Sequence, residues 1–306
     1  MQKATEKSAL ITSGIATSDP DINITEGGKT VHLRLWENLN SEDEDDILSE
    51  DEGLSCSKLT SAEDIAAVHL RGKSWSASDL ASLLAGDDAM EAISARIAAY
   101  WASRKQRVLI KSLEGAFKSS SMAESVKDIS TLSGEAGVLS GDAMIDGIYL
   151  LGDASESLTG VMMHSYVEKH LAKLDLIETE KDSDGNPTIK TYMGKRVIVD
   201  DALKPYDVQV GGDTKKAYPI YFFGNGAVSY NEGNDIINVE TDRDKEMGAD
   251  FIYTRYHFTM HPRGIKWVGK PAGLTPSNDE LANGENWELV EDRKNVAITK
   301  LIARID

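Results

Sequence analysis

Apolar positions along this chain follow two rhythms, one helical and one alternating. The longest helical run lies between Asp88 and Phe117. Met90, Ile93, Ile97, Trp101 and Val108, flanked by Tyr100, fall on one stripe when each residue advances about 100°. Ala92, Ala95, Ala99 and Ala102 form a nearly opposite stripe that continues into Leu109, Ile110, Leu113 and Phe117. Asp88 with Glu91 reads as a capping box, and Gly86 ends a shorter helix over Asp79–Ala85. No proline or glycine interrupts the long run before Gly115, so at 1.5 Å per residue it spans about 45 Å. A helix apolar on two sides is expected between two layers, its bulky residues facing one way early and the other way late.

The alternating rhythm predicts strands. Thr30 to Leu39 and Ile65 to Arg71 read as a pair joined by a long tip, which is a protruding hairpin with little core of its own. Further strands are expected at Leu158–Met163, Thr188–Met193, Arg196–Val199, Ile220–Phe223, Ala227–Tyr230, Phe251–Met260 and Val296–Ile305. Helical spacing recurs at Asp142–Gly152 and Ser165–Leu174, and Asp184-Gly185 reads as a hairpin turn. Residues 1–28 lack sustained periodicity and read as an extended arm that gains order on another surface. Lys118–Leu139 reads as a loop with a short strand or helical turn, and Lys204–Ala217 and Pro271–Trp287 read as loops.

Charge changes this picture in two places. The hairpin tip, residues 41–52, carries eight carboxylates in twelve positions: Glu42, Asp43, Glu44, Asp45, Asp46, Glu50, Asp51 and Glu52. On the long helix, Arg96, Arg104, Arg107 and Lys111 make a basic edge between the stripes, which on charge alone reads as a solvated face. The net charge of −18 argues against general binding to nucleic acid phosphates, although a container need only enclose a polyanion without sticking to it. Cys56 is the one cysteine, so an internal disulfide and a cysteine-based zinc site are excluded. Ala9–Ile15 is too short and polar for a targeting core, and no apolar run reaches membrane-spanning length. These features suit a soluble protein made in a reducing cytosol.

The remaining chemistry is sparse. The acidic tip lacks the spacing and turn glycine of an EF-hand loop, and Asp182–Asn186 lacks a later acidic ligand and reads as a turn. His257 and His261 are four apart in a strand context, where that spacing does not converge on a metal, and both read as structural. His164 and His170, six apart, do not share a ligand spacing either. Glu240, Asp242 and Asp244 alternate around Arg243, which fits either a metal-dependent phosphotransfer site or ion pairing with Arg243 and Lys245. Gly224-Asn225-Gly226 lacks the third glycine of a dinucleotide site, and there is no nucleophile elbow or phosphate-binding loop. No enzyme, cofactor or metal is indicated.

Several blocks are nevertheless familiar together. Met163-His164-Ser165, Thr191 to Asp201 (Thr-Tyr-Met-Gly-Lys-Arg-Val-Ile-Val-Asp-Asp) and Tyr221 to Ala227 (Tyr-Phe-Phe-Gly-Asn-Gly-Ala) follow the long helix. Glu240-Thr241-Asp242-Arg243-Asp244 and His261 to Trp267 (His-Pro-Arg-Gly-Ile-Lys-Trp) come after them. In order and spacing they resemble the major capsid (coat) proteins of tailed double-stranded DNA bacteriophages, over nearly the whole chain. The resemblance implies the α+β Hong Kong 97-like fold, with an N-terminal arm (1–28) and an extended loop (29–73). It also implies a peripheral domain (74–139) built on a spine helix (88–117), an axial domain (140–245), and a return to the peripheral domain with a C-terminal strand (246–306).

The expected function is then self-assembly into the hexamers and pentamers of an icosahedral head enclosing double-stranded DNA, within the virion and after assembly in the host cytoplasm. Portal, scaffolding and head-decoration or completion proteins are the implied partners. The hairpin from Val31 to Cys56 holds no lysine, so covalent crosslinking of the kind some relatives perform is not expected. Trp36 and Trp75 are candidate anchors on a neighbouring copy, and a place in the chain's own core fits each equally well. The acidic tip is expected to dock on the basic edge of a neighbour's spine helix, with cation binding at the tip as the competing use. A nanocompartment shell, which shares the fold, is the alternative function, and the phosphotransferase reading through Asp242 and Asp244 is more distant.

Overall fold

The computed structural model describes residues 13–19, 22, 24, 28–36, 56, 61–181, 187–233 and 237–305. Its frame is two sheets joined by one long helix. The six-stranded sheet contains β1 (Ala16–Ser18), β2 (Thr30–Trp36), β3 (Ser61–Ser78), β11 (Val228–Gly233), β12 (Val239–Asp244) and β13 (Ala249–Pro262). Its order is β1-β11-β13-β3-β2, with β12 also on β13. The eight-stranded sheet runs β4 (Val126–Asp128), β16 (Ile298–Arg304), β10 (Asp213–Gly224), β5 (Leu158–Met163), β8 (Lys195–Val199), β7 (Pro187–Tyr192) and β6 (Glu178–Lys181), with β9 (Tyr206–Val210) beside β10. A small third sheet pairs β14 (Ile265–Trp267) with β15 (Trp287–Leu289).

Helices α1 (Asp79–Ala85) and α2 (Ala89–Ala116) lie where the 3.6-residue rhythm puts them. Asp88 caps α2 by accepting from the N–H groups of Met90 and Glu91 at 2.9 and 3.2 Å, and Ser78 caps α1. The early stripe of α2 meets the six-stranded sheet, where Ile97, Trp101 and Ile252 form a buried cluster and Trp101 Nε1 donates to Thr254 Oγ1 at 2.9 Å. The late stripe, Leu109, Leu113 and Phe117, enters a core shared with Met162, Tyr221 and Phe223 of one sheet and Val228 and Phe258 of the other. The two-sided expectation therefore holds only for the second half. Ala95 is exposed, and Ala92, Ala99 and Ala102 are half-buried.

The eight-stranded sheet is covered on both faces, as its alternation requires. Met162, Tyr221 and Phe223 point to the α2 side. Their neighbours Val161, Met163, Ile220 and Phe222 pack with α3 (Gly141–Ile148) and α4 (Ser165–Lys173) through Met144, Ile148, Val167 and Leu171. Each such side chain contributes about 1.5–3 kcal/mol by burial, so these layers hold the fold.

Several expectations need correction. Lys204–Ala217 is a hairpin, β9 with β10, that turns on Gly211 and Gly212 at φ 63° and 97°, a region that suits glycine. β3 is much longer than Ile65–Arg71: one end pairs with β2 and the other with β13 up to Ser78. β6 was not anticipated, and it pairs with β7; the expected Asp184-Gly185 turn falls between them in sequence and lies outside the described residues. Pro271–Trp287 holds a one-turn helix, α5 (Asn278–Leu281), closed by a capping box between Ser277 and Glu280. The described part of the arm is not free either. β1 pairs in parallel with β11, Ile15 is buried, and Asp19 pairs with Arg263 at 2.6 Å.

Besides α2, which leads from β3 to β4, two connections carry the chain between the two sheets. After β10 it leaves the eight-stranded sheet through Gly224-Asn225-Gly226 and enters the six-stranded one as β11. At the end it returns, because β16 lies between β4 and β10. A short helix, α6 (Arg293–Val296), precedes that return.

Candidate assembly surfaces

Strand β2 forms an antiparallel ladder with the first part of β3, from Thr30 opposite Ala67 to Trp36 opposite Ser61. Leu33 is buried, while Trp36, at the far end, is 69% exposed. The acidic run from Glu42 to Glu52, between these strands in sequence, lies outside the described residues. What fastens this hairpin is polar and buried. Asp64 on β3 accepts from His261 Nε2 and from the Gly264 N–H, each at 2.9 Å, and the Asp64 and His261 side chains are 0% and 1% exposed. Burial alone would raise the Asp64 carboxyl, but His261 and the N–H groups of Gly264 and Ile65 outweigh it and hold it below the usual range. His69, nearby on β3, is driven down to about 3 by burial, with Arg71 and His261 adding to the shift.

The basic edge of α2 resolves into unlike members. Arg96 donates to the Ala92 carbonyl of its own helix at 3.1 Å, and Arg104 lies over the Tyr100 ring with 5.1 Å to its centroid. Lys111 pairs with Glu114 at 2.6 Å, and Lys118 reaches the same carboxylate at 2.8 Å. Arg107 is exposed and opens on a cavity at the junction of α2 with residues 202–206. Trp75 is half-buried within its own chain, opposite Ile252 and edge-on to Tyr100 at 5.1 Å.

The carboxylates around Arg243 are engaged within the chain. Glu240 pairs with Arg255, Asp244 caps the N–H groups of Glu246 and Met247, and Arg243 bridges Asp79 and Asp250 at 2.6 and 2.8 Å. The ion-pair reading of this strand is the one observed, with Arg255, Asp79 and Asp250 as the partners. Among the described residues no group of three His, Cys, Asp or Glu is placed to hold a metal. His257 and His261 sit on β13 as structural residues, and His164 caps α4. No helix among the described residues is long and apolar enough to cross a membrane.

Comparison with known proteins gives this architecture its context. The family model Gp13-like, described as major capsid protein 13-like, matches residues 58–297. The chain belongs to that major capsid protein family. It is 38% identical over 306 residues to the major capsid protein of Bacillus phage SPP1, covering 98% of this chain and 92% of that one. Among solved structures, the capsid of Ralstonia phage GP4 matches with a TM-score of 0.58 at 9% identity, over 95% of this chain and 87% of that one. The capsid of a native GTA particle matches at TM-score 0.55 and 14% identity, over 97% and 90%. These establish the Hong Kong 97-like fold. This coat protein is therefore a structural component of a phage virion, whose working sites are surfaces it presents to further copies.

Two features of those surfaces escaped sequence reading. Asp64 stood in a strand, and a carboxylate beside Ile65-Ala66-Ala67-Val68 was the available signal that it must be paired inside. Lys204 and the cavity beside Arg107 depend on a loop meeting a helix nearly one hundred residues earlier, and nothing local announces that meeting.

Proposed function

We propose that this coat protein assembles as hexamers and pentamers into an icosahedral head around double-stranded DNA, and that the β2–β3 hairpin acts on a neighbouring copy. The observation that carries this is Trp36, a large apolar side chain left 69% exposed at the end of a ladder secured at its root by Asp64 and His261. Such a side chain suits an anchor that is buried only in the shell. We assign the six-stranded sheet with α1 and α2 to the peripheral domain and the eight-stranded sheet to the axial domain, which moves their boundary from about 245 to Gly224–Ala227. Heterologous contacts that close on rotation then build each ring.

In this reading the acidic run docks on the basic edge of a neighbour's α2. Each exposed pair is worth about 1 kcal/mol or less, so the contacts set register and encounter rate more than affinity. Portal, scaffolding and completion proteins would be met by the same shell, and catalysis has no part in it. The net charge of −18 suits a wall that encloses DNA without adhering to it. Negative-stain microscopy of the purified protein, expressed with and without neighbouring genes, tests the reading. Uniform shells are expected, and dispersed subunits under every condition would refute it. Replacing Arg104, Arg107 and Lys111 by Gln should slow assembly and weaken its dependence on salt.

A further inference from the structure

The cavity beside Arg107 has a volume of about 300 Å³ and lies where α2 meets residues 202–206 and β10. Its cationic side is Arg107, Lys111 and Lys204. Lys111 is already neutralised by Glu114, which Lys118 also engages. Arg107 and Lys204 are exposed, and among the described residues neither side chain has an ion-pair or hydrogen-bond partner. The lining also holds apolar Ile110, Leu203, Pro205 and Pro219, with Glu114 as its one carboxylate. Under the floor lies a further cation. Lys300, 3% exposed, sits 5.3 and 5.4 Å from the ring centroids of Tyr206 and Tyr221, both of which line the cavity. Lys300 also donates to the Tyr206 hydroxyl at 3.4 Å, so in a chain of net charge −18 the uncompensated cations of the cavity are Arg107 and Lys204, beside apolar lining.

That mixture selects a ligand. A phosphate backbone would use the cations and leave the apolar wall unfilled, and a concavity of this size does not admit a duplex. An acidic peptide with aliphatic residues among its carboxylates uses both sides. The chain contains one such segment. Residues 41–52 place Ile47-Leu48 between Asp43-Glu44-Asp45-Asp46 and Glu50-Asp51-Glu52. We infer that this cavity is the receptor for the acidic segment of a second copy, with Arg107 and Lys204 holding carboxylates and the Ile110–Leu203–Pro205 wall receiving an aliphatic side chain. The inference rests on the shell-forming reading and sharpens it. Arg96 and Arg104, already engaged within their own helix, drop out of the contact, and Lys204, absent from the helical edge, enters it.

The test measures binding of a fluorescently labelled peptide spanning residues 41–52. The receptor is the full chain with its eight acidic residues between Glu42 and Glu52 changed to Gln or Asn, so that its own segment does not compete. Saturable binding that weakens as salt rises is expected. It should fall at least about tenfold in the Arg107→Gln, Lys204→Gln double variant and stay within about twofold in Arg96→Gln. A peptide with Ile47 and Leu48 replaced by Ser should also bind more weakly. Equal binding by the double variant, with its thermal unfolding unchanged, would overturn the proposal. So would displacement of the peptide by a short DNA oligonucleotide at equal concentration, which would mark a phosphate site instead. Shells of the unaltered protein, imaged in parallel, separate the two readings. Shells without peptide binding defeat this contact alone, and no shells under any condition defeat the functional reading as well.

Discussion

Helix α2 is one continuous element, but its two halves live in different surroundings. From Lys105 to Phe117 both sheets close around it, and Leu109, Leu113 and Ala116 have no exposure at all. From Ala89 to Arg104 it leans on the six-stranded sheet through Ile97 and Trp101, while Ala95, Ala98, Arg96 and Arg104 face outward. The second half is where the fold gets its stability. The first half keeps small and charged residues where a compact monomer would place bulky ones. In a shell-forming protein this division is expected, since part of each subunit's surface must wait for a neighbour.

The largest effects should separate the halves cleanly. Leu113→Ala empties a site in the shared core and should cost about 2–5 kcal/mol in urea unfolding of unassembled subunits. Ala95→Ser on the outward face of the same helix should stay within about 0.5 kcal/mol. Similar losses at both positions would erase the distinction. Next comes Gly115, where an added Cβ would lie 1.9 Å from the Leu281 carbonyl oxygen and 2.6 Å from Trp287 Nε1. Gly115→Ala should therefore cost about 1–3 kcal/mol despite a better helix propensity, because the Leu281 backbone must move. A neutral or stabilising result would mean that α5 and Trp287 are not held against the helix as described.

A third effect sharpens the closed half through pH. His69 lies tilted against Phe258, with 5.4 Å between ring centroids, in the sheet that α2 covers, and burial depresses its folded value to about 3. Below its ordinary value near 6.5 the unfolded chain takes up a proton that the folded one refuses. Stability should therefore be full above pH 6.5 and decline by up to about 1.4 kcal/mol per pH unit as pH falls toward 3. Asp64 acts in the same direction at lower pH, because its depressed carboxyl loses its contribution as pH falls below the usual carboxylate range. His69→Gln should flatten the slope between pH 6.5 and 4.5, and an unchanged slope would place the responsible group elsewhere. The smallest effect on subunits should be Trp36→Ala, within about 0.5 kcal/mol, accompanied by fewer or less stable shells in sedimentation. A large loss in the isolated subunit would make Trp36 a core residue after all.

Much of the frame was legible in the chain because it depends on local rules. The helix from Ala89 to Ala116, its Asp88 cap, and the exchange of bulky residues from one side to the other follow from spacing alone. The Lys204–Ala217 hairpin was hidden because Lys215, Lys216 and the Gly211-Gly212 pair look like a loop, and its two strands are partners only of each other until Ala217 meets β16. Likewise, Gly72 to Ser76 is polar and mostly exposed, so its pairing with β13 had no apolar signature. The assembly surfaces were less legible still. The basic edge was visible as a pattern, but its division into engaged and free members required Tyr100, Glu114 and the 202–206 loop to be placed around it.

The most direct test of the account is a cryo-electron microscopy reconstruction of the assembled shell at side-chain resolution. The account predicts that Trp36 is buried on a neighbouring copy and that the outward face of α2 between Ala92 and Arg107 is covered by a segment of another subunit. A shell in which Trp36 and that face of α2 remain in solvent would contradict it.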